Sequence, residues 1–105
     1  MLNPTEIEER LRLKGLEWAE LDEAANLLEE LKNSVLADYV NKADGSSVAA
    51  RETAAKANPE YKDYIKTMVQ ARGKAIRAKV EYDSARAWVE LVRTSEATKR
   101  AELRG

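Results

Sequence analysis

The chain has 105 residues, 35% of them charged and only 6% aromatic, with no Phe, no Cys and no His, and its net charge is −1. Without Cys there is no disulfide framework and no thiolate for metal or nucleophilic chemistry, and without His the commonest general base and metal ligand are missing. A chain this short builds a thin core if it stays monomeric, and this composition suits long, solvent-washed helices.

The balance of charge is uneven along the chain. Residues 1–45 hold 5 Lys and Arg against 11 Asp and Glu, whereas residues 58–105 hold 11 against 7. An acidic first part and a basic last part attract each other. The opening MLNPTEIEERLRLK has no apolar core, so no signal peptide is expected. No run of 18 apolar residues occurs, and a soluble, cytoplasmic protein follows as the expectation.

Asn3-Pro4-Thr5-Glu6 has the form of a helix start, with Asn as the N-cap, Pro at the first helical position and Glu at the third. The helix predicted over about 4–42 carries Ile7, Leu11, Trp18, Leu21, Ala25, Leu28, Val35 and Tyr39 on one face. A neighbouring line of Leu13, Leu16, Ala24, Leu27 and Leu31 is expected to widen that face, and Lys14 and Lys32 to lay their stems along it. Gly15 costs such a helix about 1 kcal/mol against Ala, which points to a kink or a close approach near Trp18.

Asp44-Gly45-Ser46-Ser47 breaks the pattern with turn formers. An Ala-rich piece over about 46–57 then predicts a short helix capped by Ser46 or Ser47, and Asn58-Pro59-Glu60 repeats the start signal for a second long helix over about 59–102. That helix carries a seam at alternating four- and three-residue steps: Tyr64, Met68, Ala71, Ala75, Ala78, Tyr82, Ala85, Val89 and Val92. Its alanines let a partner helix approach closely. Two long helices joined by a compact connector predict an all-α antiparallel hairpin, coiled-coil-like, with an Ala-rich seam. If Tyr39 lies level with Tyr64, Trp18 falls near Trp88.

Several apolar residues lie off the seam: Ile65, Val69, Ile76, Val80, Ala87, Trp88 and Leu91. A second hairpin packed there makes a four-helix homodimer, the expected assembly; left bare, they form an interaction patch together with Trp18. Beside the seam Arg72, Lys79, Arg86, Arg93 and Arg100 follow one another at seven-residue steps. Such a series either pairs with acids of the first helix, for which Glu9, Glu23 and Glu30 have matching spacing, or tracks nucleic-acid phosphates or an acidic partner. The helical E-x-x-E spacings among Glu17, Glu20 and Glu23 lack the His that di-metal bundles add, and no Gly-rich phosphate loop is present, so no metal, cofactor or enzymatic activity is expected.

The run Leu21-Asp22, Leu27-Leu28, Leu31-Lys32 is faintly similar to small helical chorismate mutases, but Trp18 to Tyr39 holds no Arg with which to bind a dicarboxylate. The opening Leu2-Asn3-Pro4-Thr5-Glu6-Ile7-Glu8, together with Met68, Ala71-Arg72, Ala78-Lys79, Tyr82-Asp83, Ala87-Trp88, Glu90 and Arg93, resembles small all-helical proteins encoded by bacteriophages and prophages. These are mostly of unassigned activity and often encoded near recombination or replication functions. The resemblance implies a non-catalytic, protein-binding accessory or inhibitory factor of phage DNA recombination or replication in the host cytoplasm. The alternative is a nucleic-acid binder that uses the basic series.

Overall fold

The computed structural model describes residues 3–104, so Leu2 of the opening motif lies outside it. Three helices follow in order: α1 Pro4–Lys42, α2 Val48–Ala57 and α3 Pro59–Arg104. Each start has a chemical cause. Asn3 accepts the Glu6 amide N–H at 2.8 Å, while the Glu6 carboxylate accepts the Asn3 N–H at 3.4 Å, a closed capping box ahead of Pro4. Ser47 accepts the Ala50 N–H at 3.1 Å and starts α2. Asn58 ends α2 and starts α3: its own N–H donates to the Ala55 carbonyl at 3.1 Å, and its side chain accepts the Glu60 N–H at 2.8 Å. Pro59 occupies the first helical position, where its missing N–H costs nothing.

α1 and α3 run antiparallel along nearly all of α1, and α2 packs at the connector end. The result is a rod of 83 × 20 × 17 Å with a radius of gyration of 23.3 Å, against about 13 Å for a compact chain of this length. Tyr39 meets Tyr61 edge-on at 6.1 Å near the connector, and Trp18 stacks on Tyr82 at 5.8 Å further along. Pro4 and Ile7 share a cleft with Val92 and Glu96 at the open end. Beyond Glu96 the last turns of α3 outrun α1 and are exposed throughout.

The register differs from the expected one by about a helical turn. Tyr39 is level with Tyr61 rather than Tyr64, and Trp18 lies on Tyr82, well short of Trp88. Two contacts fix this offset. The Tyr64 hydroxyl reaches across to the Leu28 carbonyl in the middle of α1, so it is not available at Tyr39. Gly15 faces the Tyr82 ring so closely that a Cβ there would sit 3.2 Å from Cε2. The glycine admits the ring.

Every residue of the expected α3 seam is buried or half-buried, and so is every residue of the first α1 line. The deepest positions are small: Ala25 is 0% exposed, Ala55 and Ala75 1%. No large side chain among the described residues is fully buried. Close backbone approach at Ala25, Ala75 and Ala78 therefore replaces bulk as the source of packing contacts. The second α1 line does not widen this core. Leu13, Leu16, Ala24, Leu27 and Leu31 are all exposed, because a single opposing helix covers only one narrow stripe and the first line already fills it. Lys14 does lie half-buried along the groove, whereas Lys32 is exposed.

Candidate functional site

The basic series divides according to what each member meets. Arg72 is the centre of an inter-helix cluster: Nη1 donates to Asp22 at 2.6 Å, Nη2 to Asn26 at 2.6 Å and to Glu29 at 2.7 Å, and Nε to Glu29 at 3.0 Å. This planar fork is engaged on both edges, which suits Arg and not Lys. The guanidinium hydrogen bonds hold the Glu29 carboxyl below its usual range, and the two carboxylates push Arg72 further up. Arg93 meets Glu8 at 3.3 Å, an exposed pair. Arg86 lies over the Tyr82 ring at 5.7 Å and 3.8 Å from Asp83 on its own helix. Lys79 lies 5.6 Å from the Trp18 ring centroid. Arg100 is on the exposed overhang of α3, away from the other four.

The partners in α1 are Glu8, Asp22 and Glu29, not Glu9, Glu23 and Glu30. The spacing is the same but displaced by one residue, which on a helix is a turn of about 100°. Glu9 points away from α3 and instead binds Arg12 at 2.6 Å, the hydrogen bond lowering its carboxyl pKa. The signal that finds the right set is positional. Once Leu11, Trp18 and Ala25 are taken as seam positions, Glu8, Asp22 and Glu29 fall on one flank beside them.

The aromatic residues separate in the same way. Trp18 is half-buried between Tyr82 and Lys79 as part of the seam. Trp88 is 54% exposed at the open end of the hairpin, over two shallow clefts that share Ile7 and Val89; Val92 and Arg93 line one, Arg10, Leu11 and Lys14 the other. The two tryptophans are thus apart, a consequence of the shifted register. Tyr39 donates to Glu60 at 3.2 Å, and burial together with this carboxylate raises its pKa.

The apolar residues assigned off the seam lie mostly in solvent. Val69, Ile76, Val80 and Leu91 form one line on α3; Leu13, Leu16, Leu27 and Leu31 form a second on α1, and these eight are between 44 and 67% exposed. Ala87, in the α3 line, is exposed too, while Ile65, two turns into α3, is half-buried. No group of three or more acidic side chains that could hold a metal ion is gathered among the described residues, and no helix of the described chain is long and apolar enough to cross a membrane.

Fold and surface together define an elongated, all-helical hairpin with a line of large apolar side chains exposed on each long helix. In comparisons with known proteins, no family model, curated protein or solved structure matches the chain.

Proposed function

We propose that this chain is a non-catalytic protein-interaction module, a stiff rod whose outward apolar lines take up other proteins, beginning with a second copy of itself in a four-helix homodimer. The observation that carries the reading is the exposure of eight large aliphatic side chains, four on each long helix, on a rod only 17–20 Å thick. Apolar surface on that scale costs solubility unless something covers it. The accessory or inhibitory role in phage DNA recombination or replication is the setting implied by the resemblance of the α3 residues. In that setting the rod acts by holding proteins together.

The competing reading, phosphate binding along Arg72, Lys79, Arg86 and Arg93, is disfavoured by where those cations are spent. Arg72 is saturated by two carboxylates and an amide, and Arg93 meets Glu8. The test is fluorescence polarisation with labelled single- and double-stranded DNA at about 150 mM salt, near physiological ionic strength, comparing the natural chain with the double substitution Arg86→Glu, Arg93→Glu. The interaction reading predicts no measurable binding by either, and a lower melting temperature for the variant because a carboxylate at position 93 then faces Glu8 across α1 and α3 and one at position 86 sits beside Asp83 on α3. Binding by the natural chain that weakens steeply with salt and disappears in the variant would overturn it in favour of nucleic acid.

A further inference from the structure

The two exposed apolar lines differ in both position and charge. On α3, Val69 and Ile76 stand three residues before and four after Arg72, on the flank where Arg72 meets Asp22 and Glu29. On α1, Ala24, Leu27 and Leu31 lie on the flank away from Asp22 and Glu29, the side where Lys14 approaches Glu81 at 3.9 Å. Towards the open end both lines turn onto the backs of their helices. Short of that end the hairpin therefore carries its apolar surface on two opposite sides; at it, Trp88 of α3 opens on the side of Arg10 and Lys14.

Their borders carry opposite signs. The α1 line is bordered by Glu17, Glu20, Glu23 and Glu30; the α3 line by Lys62, Lys66 and Arg77. None of these seven makes an ion pair among the described residues. Of the counter-charges near the two lines, Arg12 is taken by Glu9 and Asp83 by Arg86 within their own helices, while Arg10 beside Leu13 and Glu90 beside Leu91 stay unpaired among the described residues towards the open end. The lengths match as well. Leu13 to Leu31 rises about 27 Å and Val69 to Leu91 about 33 Å at 1.5 Å per residue.

Gly73 adds an independent observation. It lies in the α3 line between Val69 and Ile76, mid-helix, where Gly costs about 1 kcal/mol against Ala. Nothing within the hairpin requires it, since an added Cβ would meet only the flexible end of Arg77, at 3.6 Å. A helix of another molecule drawn close at this point is a physical reason for a glycine there.

From these features, and resting on the interaction reading above, we infer that the occupant of the α3 line is the α1 line of a second copy: the contact is heterologous, acidic α1 against basic α3. A two-fold contact of α1 with α1 sets Glu against Glu, and one of α3 with α3 sets Lys and Arg against their like. Because the lines lie on opposite sides, a pair joined this way leaves one α1 line and one α3 line uncovered. Association then continues past the first dimer, to a ring or an open row of hairpins.

The test uses two variants with substitutions at exposed positions, each checked for helicity by circular dichroism. Ile76→Glu with Val80→Glu blocks the α3 line; Leu27→Lys with Leu31→Lys blocks the α1 line. Sedimentation should show the natural chain growing with concentration beyond twice 11.8 kDa, each variant alone monomeric, and their equimolar mixture forming a 1:1 heterodimer. A variant that still dimerises alone would overturn the pairing rule and leave the interaction reading standing: the α1-blocked one would mean α3 on α3, the α3-blocked one α1 on α1. A natural chain that stays monomeric up to millimolar concentration would overturn self-association altogether, and with it the second copy named above as the first partner.

Discussion

Gly15 offers the sharpest test of how tightly the seam is closed, because two effects of similar size oppose each other there. Replacing it with Ala removes the helix cost of glycine, about 1 kcal/mol. The new Cβ lands 3.2 Å from Tyr82 Cε2, 3.5 Å from Cδ2 and 3.7 Å from Cζ. Contact between carbons is comfortable at about 3.5–4.0 Å, so only the first distance has to open, by a few tenths of an ångström. Swinging the ring that far about its Cα–Cβ end takes about 6°, well inside the ~30° departure at which a rotamer begins to cost 0.5–1.5 kcal/mol. Tyr82 is half-buried with shallow clefts on either side, so it has room to move. Gly15→Ala is therefore expected to stabilise by about 0.5 kcal/mol, raising the thermal midpoint by roughly 2–4 °C in a domain of this size.

Gly15→Leu reverses the sign. The larger side chain needs the space of the ring itself, so the Trp18–Tyr82 stack at 5.8 Å is displaced. The stack contributes about 0.5–1.5 kcal/mol, and overpacking adds about 1–3 kcal/mol, more than the propensity gain returns. The midpoint should drop by at least about 2–4 °C. Thermal melts followed by far-ultraviolet circular dichroism read both. If Gly15→Ala lowers the midpoint as Gly15→Leu does, the ring is immobile and the reasoning from free space beside it is wrong.

Two further outcomes concern the charged flank. Arg72→Lys should lower the midpoint, since one ammonium cannot serve Asp22, Asn26 and Glu29 together, and the difference from the natural chain should narrow as salt is raised; a midpoint that does not change would mean the cluster contributes nothing net. For pH, the folded-state pKa of Glu29 is lowered from 4.5 by its hydrogen bonds with Arg72. Its contribution is therefore complete above about pH 4.5 and is lost as the pH falls through the lower folded value, whereas between pH 5 and 8 the absence of His leaves no side chain with an ordinary pKa to titrate; melts across pH 3–8 should show a flat region and then an acid decline that Glu29→Gln reduces.

Much of this architecture is legible in the chain because the local signals agree. Asn3-Pro4 and Asn58-Pro59 mark helix starts through side-chain caps and a proline ring, both of which act within four residues. The α3 seam is legible for a related reason: a four-three alternation that includes Ala71, Ala75, Ala78 and Ala85 can face only one narrow partner. The register is less so. It depends on Gly15 admitting the Tyr82 ring and on Tyr64 reaching Leu28, contacts between residues far apart in the chain whose identity does not reveal which lies opposite which.

α1 presents a different ambiguity, since two apolar lines compete for the same partner. One contains Trp18, Ala25 and Leu28, the other Leu13, Leu16, Leu27 and Leu31, and the second is the richer in leucine. The first is buried nevertheless, because shape decides. Ala25 at 0% exposure and Gly15 let the axes close on Ala75, Ala78 and Tyr82, and this rotation also brings Asp22, Glu29 and Glu8 to Arg72 and Arg93. Rotating α1 to bury the leucines would hold the helices further apart and leave the Arg72 fork without its carboxylates.

The same choice accounts for the surface. A seam drawn close by alanines and a glycine is narrow, so beyond Leu11, Leu21, Leu28 and Val89, which it takes up, other bulky aliphatic residues of both helices remain outside. Their exposure on both helices, and the unpaired acids along one line and bases along the other, would be a liability for a molecule that acts alone. In the proposed contact between copies, complementary charge would set the pairing of the lines and apolar area would supply the affinity. Size thus decides which α1 line closes on α3: Ala25 lets the axes approach at Ala75 and Ala78, and the leucines of the second line stay on the reverse side.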